Sequence, residues 1–361
     1  MFDWVPIQSY TTIYYYVCLV TVLVLYLNTL KFPVLGQRYL TTVQALSYPF
    51  FFLVLLYMGF RPLSGVFTDM TTYGNIFVRY QNGQSIEGKD DFLFHLFVKT
   101  IATIGNLDIF FFLCAVVYCV PIYFACVNFF KKNWFYGFII LATSFSFWAY
   151  GTNGIRNGMA GSLFLLGLSQ KTKFKQAFWI IIAINIHFSM ILPALAFFAS
   201  KFDIPNKLYF RVWILSIVLS LVGGGFWETF FAGIGFGDDR LSYLTEDSYN
   251  DKFSNTGFRW DFLIYSASAV FAGWYYIVKL KFNDRVYLSL LGTYLLTNAF
   301  WILVIRASFS NRFAYLSWFM MGLIIIYPLL KSKMLVSQNR VIGIILISYF
   351  AFTFFMNVIL K

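Results

Sequence analysis

Ten apolar runs divide this chain, at 10–30, 43–60, 107–130, 134–150, 155–169, 211–230, 258–280, 284–305, 309–330 and 341–360. Each is roughly 15–24 residues, about the length of one bilayer crossing. An eleventh apolar stretch, 177–200, is interrupted by Asn185, His187 and Pro193. The 361 residues are 60% hydrophobic and only 12% charged, against about 25% charged for a soluble domain. A soluble fold would have to expose most of that apolar surface and would aggregate. The pattern predicts an all-α polytopic integral membrane protein with about 10–12 transmembrane helices and a re-entrant or broken helix near 177–200. The first run, Tyr10–Leu30, follows MFDW without a basic flank and reads as a retained helix rather than a cleaved signal.

The charge follows topology. In a soluble protein a net charge of +12 would suggest nucleic acid; here no nucleic-acid partner is expected, and the lysines and arginines report sidedness. With the N-terminus outside and 177–200 folded as a hairpin, 16 of the 27 Lys and Arg fall in cytoplasmic loops, and 13 of the 15 acids fall outside. If 177–200 crosses once, every later loop inverts. The hairpin is the better fit, and backbone that breaks at membrane depth must line a cavity or be buried in protein. No internal repeat or low-complexity tail appears, so 1–361 reads as a single membrane domain. Two stretches then face outside. Residues 61–105 include "DDFLFHLFVKTIATIG", whose spacing predicts an amphipathic helix at the membrane surface, with His95 at the lipid interface. Residues 233–261 form a polar, aromatic outer loop long enough to cover a cavity. The four cysteines, Cys18, Cys114, Cys119 and Cys126, lie inside apolar runs without metal-ligand spacing and read as packing residues.

The stretch "GTNGIRNGMAGSLFLLGL", 151–168, puts Arg156 at the head of an apolar helix. Asn153 is placed to cap that helix. Gly154, Gly158 and Ser162 form a row of small residues that lets another helix come close. A helix N-terminus with an arginine attracts anions, phosphate in particular. The plain alternative is an arginine that reaches to lipid headgroups or pairs with an acid. "SFSNRFAYLSWF" repeats the arrangement at Arg312, with Ser310 or Asn311 as cap, and Arg306 ends the preceding helix. Arg61 in "GFRPLSGVFTDMTTY" sits at the same boundary. Arginines gathered at one depth repel one another unless an anion joins them, and a lipid diphosphate lies at that depth. Candidate acid–base groups are His187, at the broken helix, and Asp69, four residues before Tyr73. Asp238, Asp239, Glu246, Asp247 and Asp261 are weaker candidates. Trp227, Phe236, Tyr243, Tyr249, Phe253 and Trp260 suit either sugar stacking or interfacial anchoring. There is no DxD metal motif, P-loop or GxSxG elbow, so no metal and no cofactor is expected.

"YGTNGIRNGMAGSLFLLGL", "NIHFSMILP", "GFRPLSGVFTDMTTY" and "NRFAYLSWF…YPLL" together resemble the EpsG-like branch of the Wzy-type polysaccharide polymerases. The resemblance covers roughly residues 50–330. It implies a GT-C-like bacterial inner-membrane glycosyltransferase with its active site facing the periplasm. Such an enzyme moves a growing glycan from a polyprenyl-diphosphate carrier onto a lipid-linked repeat unit. The matching positions are Arg61, Asp69, Tyr73, Arg156, His187 and Arg312, though "IHFS" departs from the expected His-Lys/Thr-Ser tip. The partners implied are the lipid-linked donor and acceptor oligosaccharides and the bilayer, with a chain-length regulator and a flippase beside them. An O-antigen-type ligase or a polyprenyl-phosphate-sugar glycosyltransferase would use the same clamp with another acceptor. A lipid-linked oligosaccharide flippase would be expected to show related halves, which are lacking here.

Overall fold

The computed structural model describes residues 2–34, 40–86, 90–202, 204–233, 257–307 and 310–360. Among the described residues every regular element is helical. The helices are α1 (Ile7–Lys31), α2 (Leu40–Gly59), α3 (Thr68–Gln81), α4 (Phe92–Ile104), α5 (Leu107–Phe130), α6 (Trp134–Ala142), α7 (Phe147–Thr152), α8 (Ile155–Leu168) and α9 (Lys173–Ile186). They continue as α10 (Ile191–Ala199), α11 (Asn206–Gly223), α12 (Phe226–Gly233), α13 (Trp260–Trp274), α14 (Arg285–Leu303), α15 (Asn311–Trp318), α16 (Met321–Lys331) and α17 (Gln338–Phe354).

Each of the ten apolar runs coincides with one helix or with two consecutive helices. Seven segments are long and apolar enough to cross a membrane by length and composition. That is fewer than ten because some runs are broken or short and one segment holds more than one crossing. Leu107–Ala142 is 36 residues of apolar sequence. As one straight helix it would be ~54 Å long, well beyond a ~30 Å hydrocarbon core. The chain turns within it, at the exposed pair Lys131–Lys132, where Lys131 takes a left-handed φ of 55°. α6 then returns along α5. The stretch 177–200 is broken as its sequence suggests. α9 ends at Ile186, His187 is extended (φ −154°, ψ 112°), and a short 3-10 turn leads into α10. Pro193 lies in the first turn of α10, where its missing N–H and fixed φ are tolerated; inside a continuous helix it would clash with the carbonyl of Ser189.

The chain forms two compact units, Met1–His187 with Leu329–Lys361, and Phe188–Pro328. In the first, α8 is the central helix. It packs on α5 and α9, and thirteen of its fourteen residues are buried, Arg156 being the exception. The small-residue row works as its spacing suggests. Gly158 lies against the main chain of Tyr150, and Ser162 Oγ donates to the Val117 carbonyl of α5 at 2.9 Å. α1 and α17 pack together, and α3 and α4 form a pair whose second member lies against α9. α4 is amphipathic as expected, with Phe94, Val98, Ile101 and Ala102 buried.

In the second unit α14 packs against α10 and α11. A neutral polar web ties it to its neighbours. Asn298 accepts from Trp213 Nε1 at 2.7 Å and donates to Ser317 Oγ at 2.9 Å and Ser266 Oγ at 3.3 Å; Trp318 Nε1 also donates to Ser266 Oγ, at 2.7 Å. Hydrogen bonds of this kind join helices where apolar burial alone does not discriminate between partners. All four cysteines are buried and free of disulfides.

Candidate functional site

Arg156 stands in the first turn of α8, about one-third exposed, and faces a residue that sequence reasoning missed. Its Nη1 meets Asp91 Oδ2 at 2.7 Å, where Asp91 is only 7% exposed. The same carboxylate receives Nδ1 of His187, at 3.1 Å from Oδ2 and 3.3 Å from Oδ1. His187 is 2% exposed. One carboxylate therefore joins the head of α8 to the break after α9.

Local backbone explains how Asp91 reaches both. It is the residue before α4, the position where a carboxylate ordinarily caps its own helix. Here its φ is 54°, and its side chain makes no cap. The left-handed backbone turns the carboxylate toward Arg156 and His187 instead, a conformation Asp tolerates better than most residues. Because α4 packs on α9, the start of one helix meets the end of the other. His187 is extended, so its ring leaves the path of α9. A carboxylate at Nδ1 selects the Nδ1–H form of the ring and leaves Nε2 as the nitrogen that can accept a proton.

Two aromatic rings flank the arginine. Its guanidinium carbon lies 6.0 Å from the Tyr73 ring centre and 5.7 Å from that of Phe94, and those two rings meet edge to face at 5.4 Å. Burial holds the Tyr73 hydroxyl above its ordinary pKa, with the nearby Arg156 charge pulling the other way. Asp69 lies in the first turn of α3, one turn before Tyr73, and its charge also acts on that hydroxyl. Four of the sequence candidates, Asp69, Tyr73, Arg156 and His187, thus gather in one unit around Asp91.

The expected helix caps do not form. Asn153 does not cap α8. Gly154 occupies the N-cap and no side chain bonds there, because Asn153 closes α7 instead, its carbonyl accepting from Ile155 N at 2.6 Å. Asn153 Oδ1 is buried with no hydrogen-bond partner. Neither Ser310 nor Asn311 caps α15. Ser310 holds the N-cap position but is already helical (φ −55°, ψ −22°), so its hydroxyl makes no bond to the helix amides; Asn311 is the first helical residue and exposed. Arg312 follows it in that first turn, within the second unit. Arg306 donates to the Ser220 carbonyl at 2.6 Å and lies 5.2 Å from the Phe258 ring.

Arg61 is only 3% exposed. It donates to the carbonyls of Met58 at 2.7 Å and Thr152 at 3.2 Å, and sits 5.0 Å from the Phe111 ring and 5.5 Å from that of Phe67. Burial lowers its pKa to about 10, which leaves it charged at neutral pH. Its donors tie the end of α2 to the end of α7, so it serves packing rather than an open anion site. His95 is not a bare interfacial residue either, since its Nδ1 lies 2.9 Å from Tyr80 Oη. Asp261 pairs with Arg259 at 2.6 Å. Asp238, Asp239, Glu246, Asp247, Phe236, Tyr243, Tyr249 and Phe253 lie outside the described residues, as does most of the expected outer loop 233–261. Among the described residues no group of three or more His, Cys, Asp or Glu could hold a metal ion.

The family model for EpsG matches residues 44–361, a span that holds Arg61, Asp69, Tyr73, Asp91, Arg156, His187 and Arg312. The chain belongs to the EpsG family. Membership points to polysaccharide polymerisation, of the glycosyltransferase type, by a multi-pass membrane protein. No curated protein and no solved structure is measurably similar to this EpsG-family chain.

The missed residue had a weak signal. Asp91 is the second of two adjacent aspartates directly before an amphipathic segment. Local sequence marks such a residue as a helix cap and gives no sign that its carboxylate leaves the helix.

Proposed function

We propose that this protein is an inner-membrane polysaccharide polymerase that transfers a growing glycan from a polyprenyl-diphosphate carrier onto a lipid-linked repeat unit at the periplasmic face. Besides family membership, one observation carries the reading: Asp91 bridges Arg156 and His187. A cation for the leaving group and a base for the nucleophile are thereby held a single carboxylate apart.

In this mechanism a hydroxyl of the acceptor sugar attacks the anomeric carbon of the donor glycan. The new glycosidic C–O bond forms as the C–O bond to the diphosphate breaks. The electron pair leaves with the diphosphate, and the hydroxyl proton passes to His187 Nε2. Arg156 stabilises the charge that grows on the departing phosphate. Its side chain is about one-third exposed while Asp91 holds Nη1. Tyr73 walls the Arg156 side of the clamp, and Arg61 has no part in it; Arg312, with Asn311 beside it at the head of α15, is proposed as a phosphate contact within its own unit. His187 is preferred to Asp69 as base because a carboxylate already stands at Nδ1 to steady the imidazolium that forms. Burial of His187 keeps bulk water from competing with the sugar hydroxyl, and the reading requires that bound substrate open a path to Nε2.

The test is a surface-polysaccharide gel from a host lacking this gene, complemented with wild type or with Arg156→Ala at matched membrane levels. Ladders with wild type and a single repeat unit with the variant are the expected outcome. Full ladders from the uncomplemented host would overturn the reading, and addition of one completed glycan without a ladder would make the protein a ligase.

A further inference from the structure

We propose that a polar cavity at the α3–α4 junction is a binding site for one sugar ring of the glycan, one helical turn along α4 from Asp91. The cavity has a volume of about 170 Å³ and is lined by Ile76, Arg79, Tyr80, Gln84, Ser85 and His95. This rests on the polymerase reading for the identity of the glycan, though the site itself stands on its own geometry.

Three observations favour a sugar. The first is size. Pockets for drug-sized ligands are roughly 300–1,000 Å³, and a space about half the lower limit suits a single pyranose. The second is the lining. It offers a carboxamide, a hydroxyl, a guanidinium and an imidazole beside the aliphatic Ile76 and the ring of Tyr80. A pyranose has the same mixture, with hydroxyls around its edge and C–H groups on its faces. Among the described residues, this lining holds no acid and no long apolar wall of the kind that would select a metal ion or a lipid tail. Tyr80 Oη and His95 Nδ1 are locked together at 2.9 Å, with their rings edge to face at 84°, so one wall is already built. Burial and then the Arg156 charge lower the pKa of His95, which keeps the imidazole neutral at physiological pH and able to serve either as donor or as acceptor.

The third observation is position. His95 N–H bonds to the Asp91 carbonyl at 3.1 Å, so the two residues stand i and i+4 across the first turn of α4, separated by a rise of ~6 Å. A glycan anchored in the cavity would therefore have its neighbouring sugar beside the Asp91–Arg156–His187 cluster. Gly83, with φ +86°, closes the turn that brings Gln84 and Ser85 over the cavity.

The site predicts binding that survives loss of the chemistry. The probe is the host's own surface polysaccharide, depolymerised to single repeat units and added to the full-length protein in lipid nanodiscs. Saturation-transfer NMR reads contact between protein and sugar. Wild type should give a signal, and Arg156→Ala should keep it. Ser85→Trp, an exposed rim position where a large side chain fills the cavity, should weaken binding by about tenfold or more, the equivalent of one or two lost hydrogen bonds. In cells Ser85→Trp should shorten the ladder without abolishing it, as expected for a grip on the chain rather than a catalytic group. No signal from wild type, or an undiminished signal from Ser85→Trp, overturns the proposal. Displacement of the sugar by millimolar inorganic phosphate also overturns it, because the cavity would then be an anion site. If the repeat unit binds while a host lacking the gene still makes full ladders, the cavity stands and the polymerase reading falls.

Discussion

The two units each contain a buried polar knot, and the knots are built on opposite principles. Around Asn298 every group is neutral, each side chain meets a partner of matching polarity, and the participating atoms come from α11, α13, α14 and α15. Around Asp91 the groups are ionic or titratable, and Arg156 remains about one-third exposed. A neutral, closed web holds helices together and has nothing left over for a ligand. A charged cluster with one outward-facing member can exchange an internal partner for a substrate. Arg61 lies on the structural side of that division although it carries the same charge as Arg156, because both its Nη groups donate to main-chain carbonyls and aromatic rings pack around it.

The largest expected effect separates the two knots by function. Arg156→Ala should lower polymerisation by roughly 10²–10³-fold, the usual cost of losing one preorganised donor to developing negative charge. Its folded yield in detergent should stay close to wild type, since Arg156 is partly solvated. Polymerisation at the normal rate with the protein present at wild-type level would place Arg156 with Arg61 as a packing residue. Asp91→Asn comes next. It keeps the shape of the side chain but removes the charge that steadies the imidazolium, and should cost about a hundredfold, the lower end of what a general base contributes. Both variants are read as repeat units added per folded molecule per minute.

The neutral knot should respond the other way. Asn298→Ala strands the Trp213 N–H and removes the acceptor and donors that connect three helices. Each buried group left unpaired costs about 1–3 kcal/mol, so the melting temperature should fall by several degrees while activity per folded molecule changes little. A variant that melts normally but loses activity would erase the distinction between the knots.

Much of the fold was legible because its signals are long. Ten apolar runs became helices, the break at His187 followed from the polar residues and Pro193 in 177–200, and the glycine row of α8 met its neighbours as its spacing suggests. The candidate site was legible only in part. Arg156 and His187 carry residue-type signals, since a charge or a titratable group is uncommon within apolar runs, and Asp69 and Tyr73 stand one turn apart in a polar stretch. Asp91 does not, because its role depends on a left-handed backbone that Asp90 and Asp91 advertise equally. The cap expectations failed for a related reason. Asn153 and Asn311 stand at helix boundaries in sequence, but whether a side chain caps depends on the backbone angles of one residue, and at both places the angles went to the neighbouring turn.

The smallest expected effect concerns pH, and it distinguishes the periphery of the charged cluster from its centre. His95 has a folded-state pKa below its ordinary value of about 6.5, first through burial and then through Arg156. The unfolded chain therefore binds a proton at this site more readily than the folded one. Stability should be flat above about pH 7.5, where neither state is protonated, and should decline as pH falls through about 6.5. His95 is half-buried, so the decline is modest. Melting curves of wild type and His95→Gln at about pH 7.5 and about pH 5.5 isolate its share, because glutamine keeps a donor and an acceptor for Tyr80 but does not titrate. The difference between the two pH values should be smaller for His95→Gln than for wild type. An equal difference in both would mean that the acid sensitivity does not lie in His95, and the distinction between the cluster's edge and its centre would disappear.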